Sequence, residues 1–142
     1  MNCFTFIGNI TRDLELRYTP NGTATVTYVV AVDRVYFVAQ ERREETDFFP
    51  VTTYGRQAEN DAKYLKKGYR VGISCEVHSW FKAVEKRGGF NFEPFKVDYL
   101  GAPSGAGSAR PVSTPSPEVD DWLRDYDRSE GTGAPGARPP RS

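Results

Sequence analysis

Apolar and polar residues alternate along three stretches of this chain, and such alternation predicts strands that bury one face. The first stretch, 24–34, places its apolar row at Val26, Tyr28, Val30 and Val32. The second places its row at Val71, Ile73, Cys75, Val77 and Phe81, with His78, Trp80 and Lys82 on the opposite face. The third stretch covers 90–100, where Pro94 interrupts the alternation. Because proline cannot donate a ladder hydrogen bond, we expect a bulge or a sheet edge at Pro94.

The remaining elements follow from helix and turn signals. A strand is predicted at 46–55, where Pro50 again indicates a bulge or an edge. A helix is predicted at 56–67, because three residues form one apolar stripe and Gly68 suits a C-terminal cap; the stripe consists of Ala58, Ala62 and Leu65. The polar stretch 39–45 is expected to be a loop, and Gly88-Gly89 a tight turn. With an N-terminal strand, the predicted order is strand, strand, strand, helix, strand, strand.

Composition restricts the class of protein without indicating a ligand. Nineteen basic and 19 acidic residues cancel, so the net charge gives no sign of a nucleic-acid partner. Cys3 and Cys75 fall in apolar stretches and are expected to be buried thiols in a reducing compartment. We find neither a signal-peptide pattern nor an apolar run of the ~20 residues that span a bilayer. These features predict a cytoplasmic protein.

Three sequence blocks at 8–22, 46–59 and 63–68 are informative together: GNITRDLELRYTPNG, TDFFPVTTYGRQAE and KYLKKG. In this order and spacing they resemble the bacterial single-stranded DNA-binding protein family over roughly residues 1–100. The resemblance implies an all-β fold with one helix, a five-stranded Greek-key OB-fold barrel at 1–101. It also implies a homo-oligomer, usually a tetramer. Such a protein, on the bacterial nucleoid, binds and protects single-stranded DNA without strong sequence preference during replication, recombination and repair.

Binding of this kind uses aromatic rings on which bases stack, each contributing about 1–3 kcal/mol. The resemblance assigns this stacking to Tyr36, Phe48 and Tyr54, and we add Trp80 as the fourth candidate. Phe48 and Tyr54 are six residues apart, so a regular strand shows both on one face and turns Phe49 into the core. Lys82 occupies the family's fourth aromatic position, and Trp80, two residues earlier, shares its face.

Cations on the same surface are the candidates for phosphate contacts, which weaken as salt rises. We select Arg12, Arg17, Arg34, Arg56, Lys82, Lys86 and Arg87, to which Arg42 and Arg43 could be added from a projecting loop. Some positions depart from the family pattern: Thr52 and Thr53 replace apolar residues, Cys75 a glycine, and Glu76 a frequent cation. We therefore expect weaker DNA binding than in typical relatives, or a different DNA path. The departures suggest a divergent copy, a hypothesis that includes carriage by a mobile element.

After residue 101 the chain becomes rich in Pro, Gly, Ser and Ala, so we predict a disordered tail at 102–142. Within it, 117–127 combines acidic residues with an apolar row at helical spacing, formed by Val119, Trp122, Leu123 and Tyr126. So short a helix is marginal alone and is expected to form on binding. Three interpretations stay open: docking of replication or repair proteins, an acidic mimic that folds onto the DNA face, and an inert tail.

Other functional classes have weaker support. The single histidine, His78, lies near no paired cysteines and no metal-ligand spacing, so neither an enzyme, a metal site nor a cofactor is expected. The principal alternative is an OB-fold that binds proteins, such as a primosome-type accessory factor with weak DNA binding. The zero net charge favours this alternative, and the aromatic set opposes it.

Overall fold

The computed structural model of the chain describes residues 1–102 together with Pro117, Glu118 and Asp121. Residues 1–102 form six strands and one helix, which are β1 (Phe4–Ile10), β2 (Arg17–Tyr18), β3 (Ala24–Val38), β4 (Glu41–Tyr54), α1 (Gly55–Tyr64), β5 (Arg70–Lys82) and β6 (Arg87–Gly101). The predicted order of elements is confirmed, and the two-residue strand β2 is added to it. The prediction of a mostly β chain with one helix is therefore correct.

The strands form one sheet in the order β2-β3-β1-β5-β6, and β4 pairs with β3 as a branch from this path. All of these pairings are antiparallel. β1 lies between β3 and β5, and Gly8 permits its close approach to β3, because a Cβ at Gly8 would lie only 2.3 Å from the Ala31 carbonyl oxygen. Two long hairpins result, which we call the first hairpin (β3–β4) and the second hairpin (β5–β6).

The core lies between these strands. The buried rows of β3 and β5 include Val26, Tyr28, Val30, Val71, Ile73 and Cys75. Four phenylalanine rings with neighbouring centroids 4.9–5.9 Å apart join β1, β4 and β6; they are Phe4, Phe6, Phe49 and Phe92. The predicted alternation is confirmed for these rows. It fails at Phe81, which is 72% exposed because the second hairpin extends beyond the core there.

The helix is shorter than predicted at its C-terminal end. α1 ends at Tyr64, and the Leu65 amide donates to the Asp61 carbonyl at 2.9 Å. Gly68, at φ +88°, is not the cap of the helix; its amide donates to the Ile10 carbonyl at 2.8 Å. The helix ends early because the residues that follow it hydrogen-bond to the end of β1. This long-range contact cannot be read from the local apolar stripe.

The first hairpin connection lies inside the predicted loop 39–45 but is shorter, and the second precedes the glycines predicted to form it. The first hairpin turns at Ala39 and Gln40, which have φ values of +48° and +65°, so most of 39–45 is strand rather than loop. Positive φ at both residues matches a type I′ turn, which normally carries Gly or Asn. The second hairpin turns at 83–86, and Gly88 and Gly89 lie within β6. The second prediction failed because the glycines do not coincide with the turn, and the first was too long because polar residues continue from the turn into the exposed end of β4.

The two proline expectations hold. The register between β5 and β6 shifts beside Pro94, which pairs with Cys75 while Ser74 pairs with Lys96. This is the expected bulge. Pro50 lies in β4, which pairs only with β3 in the described sheet and is therefore an edge strand.

One cysteine prediction is wrong: Cys75 is buried, but Cys3 precedes β1 and is exposed. Burial raises the pKa of the Cys75 thiol to about 11. In the part of the chain that the structure describes, no helix combines the length and the apolar character needed to cross a bilayer.

Candidate nucleic-acid interface

The side of the first hairpin opposite the Val26 row carries small residues between aromatic rings; Thr25, Thr27 and Thr52 are polar, whereas Val29 and Pro50 are apolar and buried. Register places Thr25 between Arg17 on β2 and Tyr54 on β4. One step along, Thr27 pairs with Thr52, and their hydroxyl oxygens are 3.0 Å apart. We call this side of β3 and β4 the outer face; its residues alternate with the core row that begins at Val26, and its middle, at Val29 and Ala31, is itself buried.

Phe48 and Tyr54 share the outer face, as predicted. They pair with Ala31 and Thr25, and both are half-buried. Phe49 turns inward and packs against the core. Six strand residues separate Phe48 from Tyr54 by roughly 20 Å. The outer face therefore presents two aromatic rings with small side chains between them.

Tyr36 is not brought together with these two rings. It projects from the opposite face of the first hairpin, where its hydroxyl donates to Glu45 at 2.8 Å. That hydrogen bond raises the pKa of the Tyr36 phenol. The Arg34 guanidinium lies 5.6 Å from the centre of the Tyr36 ring and is held by Glu45 at 2.6 Å and Asp47 at 3.0 Å.

The neighbouring residue Phe37 was missed by the sequence reasoning. It lies on the outer face with Phe48 and Tyr54, and its side chain is 69% exposed. On the β3 ladder the three rings stand at evenly spaced positions, because Tyr54 pairs with Thr25 and Phe48 with Ala31. The parity of the strand, which Val26 and Val30 define, is the signal that could have found it.

Trp80 lies on the second hairpin, on the face that it shares with Lys82. Its indole rests on Gly89, the residue paired with it; a Cβ there would come within 3.1 Å of Trp80 Cζ2. Trp80 is half-buried. The glycine that was predicted to form a turn instead makes room for the ring.

The predicted phosphate contacts fall into two groups. Several are already ion-paired: Arg17 with Glu15, Arg34 with Glu45 and Asp47, Arg87 with Glu85, Arg42 with Glu44, and Arg43 with Glu41. By contrast, within residues 1–102 the structure shows no carboxylate in ion-pair contact with Arg56, Lys82 or Lys86. Arg12 is exposed in the loop after β1. The charges of the first hairpin are thus largely neutralised from within.

An acidic cluster lies between the core and Trp80 on the second hairpin. Glu76 pairs with Glu93 across the strands. His78 Nε2 is 3.2 Å from the Glu76 carboxylate and 3.6 Å from that of Glu93. All three side chains are about half exposed. Two carboxylates at this point repel a phosphate chain, as the sequence predicted for Glu76 alone.

A buried hydrogen-bond network joins the bases of both hairpins at Asp61, a residue that the sequence reasoning did not select. The Asp61 carboxylate is fully buried and accepts from Tyr28 at 3.4 Å, Thr53 at 2.7 Å, Gln57 at 2.8 Å and Tyr99 at 2.6 Å. Burial, together with the neighbouring Asp61, raises the pKa values of Tyr28 and Tyr99. The sequence signal that could have identified Asp61 is its acidic side chain on the apolar stripe of α1.

The network also accounts for one departure from the family pattern. Thr53 faces the core, where an apolar residue is common, because its hydroxyl donates to Asp61. Thr52, on the outer face, is paired with Thr27 instead.

The predicted partner-binding residues lie outside the described part of the chain, namely Val119, Trp122, Leu123 and Tyr126. Pro117, Glu118 and Asp121 are helical and exposed. Within the described residues there is no cluster of three or more His, Cys, Asp or Glu side chains that could hold a metal ion.

Comparison with known proteins gives consistent results. The sequence profile of the Single-strand binding protein family matches residues 1–92. A single-stranded DNA-binding protein of Clostridium tetani (strain Massachusetts / E88) is 44% identical over 80 residues, which are 56% of this chain and 54% of that protein. Single-stranded DNA-binding protein A of Bacillus subtilis (strain 168) is 47% identical over 79 residues, 56% of this chain and 45% of the relative. The chain spans about half the length of the curated relatives it matches.

Among solved structures, wild-type single-stranded DNA binding protein from Thermus aquaticus superposes with a TM-score of 0.61 at 27% identity. The superposition covers 71% of this chain and 50% of that one. The OB-fold expected from the sequence is confirmed by this likeness.

Proposed function

Because the chain belongs to the Single-strand binding protein family, we propose that it binds and protects single-stranded DNA, without strong sequence preference, during replication, recombination and repair. The observation that carries this proposal is the pair Phe48 and Tyr54 on the outer face of the first hairpin. Both rings lie within the matched residues, and both are half-buried in strand β4 rather than enclosed in the core.

Base stacking supplies most of the affinity in this proposal. Bases stack on Phe48 and Tyr54, and Phe37 extends the row toward the hairpin turn. Trp80 adds a platform on the second hairpin. Tyr36 stacks on a base only if its hydroxyl releases Glu45, since its ring lies on the opposite face of the first hairpin.

Phosphate contacts come first from the cations without carboxylate partners in the described structure, which are Arg56, Lys82 and Lys86. Arg17, Arg34 and Arg87 exchange a carboxylate for a phosphate when DNA binds, so their net contribution is smaller. Arg12, beside β1, completes the set. This arrangement allows a chain of zero net charge to bind a polyanion.

We further propose the division of the chain that the sequence predicts. Residues 1–101 are the DNA-binding domain, and 102–142 are a tail rich in Pro, Gly and Ser, whose segment 117–127 docks replication or repair proteins through Val119, Trp122, Leu123 and Tyr126. The protein acts as a homo-oligomer, with a tetramer expected from the family, on DNA in the bacterial cytoplasm.

The test is a fluorescence titration of the full-length Trp122→Phe variant with oligo-dT at low and high salt. Trp80 is then the sole tryptophan. We expect quenching with a Kd that rises steeply with salt, because stacking quenches the indole and phosphate binding releases counterions.

The second candidate is a protein-binding OB-fold, and the internal pairing of the first hairpin's arginines favours it. The alternative is preferred over DNA binding if oligo-dT neither quenches the fluorescence nor forms a retarded complex in a native gel. The protein must be folded and its oligomeric state unchanged in both measurements.

A further inference from the structure

The two faces of the second hairpin differ beyond the core. Trp80 and Lys82 lie on one face, and Phe81 lies on the other. Phe90 shares the face of Phe81, because Ser79 is its partner across the strands. Phe81 and Phe90 are therefore diagonal neighbours with backbones about 7–8 Å apart. We call these two side chains the Phe81–Phe90 face.

Neither ring of the Phe81–Phe90 face contributes to the core. Phe81 is 72% exposed and Phe90 is 63% exposed. Val84, in the turn beside them, is 99% exposed. Exposed aromatic rings in contiguous groups usually mark a binding surface, since water-facing apolar area has no structural advantage.

The glycines of β6 give these rings space. Gly88 pairs with Phe81, and a Cβ there would lie 3.2 Å from Phe81 Cδ2 and 2.8 Å from the Trp80 carbonyl oxygen. Phe81 therefore rests on bare backbone and leaves its other side open. Consecutive glycines weaken a strand, and they occur where another group approaches closely.

Charge distinguishes the two faces as paths for a polyanion. From Trp80 toward the core, one meets His78 and then the cross-strand carboxylates Glu76 and Glu93. From Phe81 toward the core, the corresponding positions are held by uncharged residues, which are Ser79, Phe90, Val77 and Phe92.

Cations lie at the end of the hairpin. Lys82 and Arg87 pair across the strands on the Trp80 face, and Lys86 lies in the turn, against one carboxylate of Glu85. Aromatic rings interleaved with an excess of positive charge are the chemistry that recognises unstacked bases on a phosphate chain.

We propose that Phe81 and Phe90 form a second base-stacking platform, on the face of the second hairpin opposite Trp80, for the same single-stranded DNA. The inference rests on the proposed function and adds two residues to its site. Single-stranded DNA then crosses the end of the hairpin from Trp80 to the Phe81–Phe90 face and avoids the carboxylates of Glu76 and Glu93.

The direct test places a reporter on the new face. In full-length protein carrying Trp80→Phe and Trp122→Phe, the change Phe81→Trp introduces the only indole, which oligo-dT should quench. The matched reporter is Trp122→Phe alone, which keeps Trp80. Quenching of the Trp80 reporter without quenching of the Phe81→Trp reporter overturns the inference and leaves the proposed function standing. Quenching of neither overturns both.

The second measurement uses affinity. Phe81→Ala with Phe90→Ala should weaken oligo-dT binding about tenfold or more, whereas Phe95→Ala should leave it unchanged. Phe95 is 61% exposed at the bulge of the same strand, away from the hairpin end. Unchanged affinity in the double variant, with a changed oligomeric state by light scattering, would instead identify the Phe81–Phe90 face as an interface between copies and overturn the inference.

Discussion

The two hairpins of this protein have similar strand lengths but carry different side chains beyond the core. Their strands have similar lengths, 15 and 14 residues in the first and 13 and 15 in the second. In the first hairpin, Arg34 and Tyr36 reach Glu45 across the strands. In the second, aromatic rings rest on Gly88 and Gly89 and remain open to solvent on one side.

The two hairpins therefore differ in which charges and aromatic rings remain available to a ligand. The ion pairs of the first hairpin neutralise its cations, so under the proposed function its affinity for DNA is expected to come mainly from rings on the outer face. The second hairpin has Lys82 and Lys86 unpaired among the described residues, and its rings are accessible. A chain of zero net charge can thus concentrate cations at the end of the second hairpin, and Arg56 at the start of α1 adds to them.

The largest effect is expected where the two hairpins join. Asp61→Ala removes the acceptor of Tyr28, Thr53 and Tyr99, and buried donors without partners are costly. We expect a loss of about 3 kcal/mol in the free energy of unfolding, measured by urea denaturation at fixed protein concentration. The control is Asp98→Ala, an exposed partner of Lys96, which should change stability by less than about 0.5 kcal/mol. Equal losses in the two variants would show that the network does not tie the hairpins together.

The next effect concerns which face of the first hairpin binds. Phe48→Ala should weaken oligo-dT binding by about 2 kcal/mol, roughly 30-fold, through loss of one stacked base. The adjacent pair provides the control: Phe37→Ala, on the outer face, should cost more affinity than Tyr36→Ala, on the opposite face. If Tyr36→Ala costs as much as Phe48→Ala, the ring must leave Glu45 and reach DNA.

A smaller effect on stability is expected from Cys75, at the base of the second hairpin. The pKa of Cys75 is raised to about 11 by burial, whereas an unfolded thiol has a pKa of about 8.5. Its stabilising contribution is therefore complete below about pH 8.5 and is lost as pH rises toward about 11. Between about pH 8 and 9.5 the wild type should lose about 1 kcal/mol more than Cys75→Ala, measured by urea denaturation. Parallel pH profiles would contradict this assignment.

The smallest effect compares paired with unpaired cations. Lys82→Ala should lower the slope of log Kobs against log salt by about 1, since one phosphate contact is lost. Arg34→Ala should change the slope by less, because Glu45 and Asp47 already neutralise that guanidinium. Titrations with oligo-dT at four salt concentrations measure both. The reverse order would mean that DNA fully displaces the two carboxylates.

Much of the fold was predictable because its signals are local. The rows at Val26–Val32 and Val71–Cys75, the helix stripe and the bulge at Pro94 each depend on a few neighbouring residues. The site was predictable only in part. Phe48 and Tyr54 share a face because strand periodicity requires it, whereas Tyr36 was assigned from the resemblance alone, and the parity of β3 places it on the side of Val26 and Val30.

The sequence by itself therefore determined the strands, their buried faces and the family, since period-two alternation and motif spacing are properties of the chain. Tertiary structure decided which aromatic rings share a surface, which cations are neutralised, and that Gly88 and Gly89 receive rings rather than form a turn. The physical reason is register. A shift of one residue exchanges the faces of a strand, and only pairing with its neighbours fixes that shift.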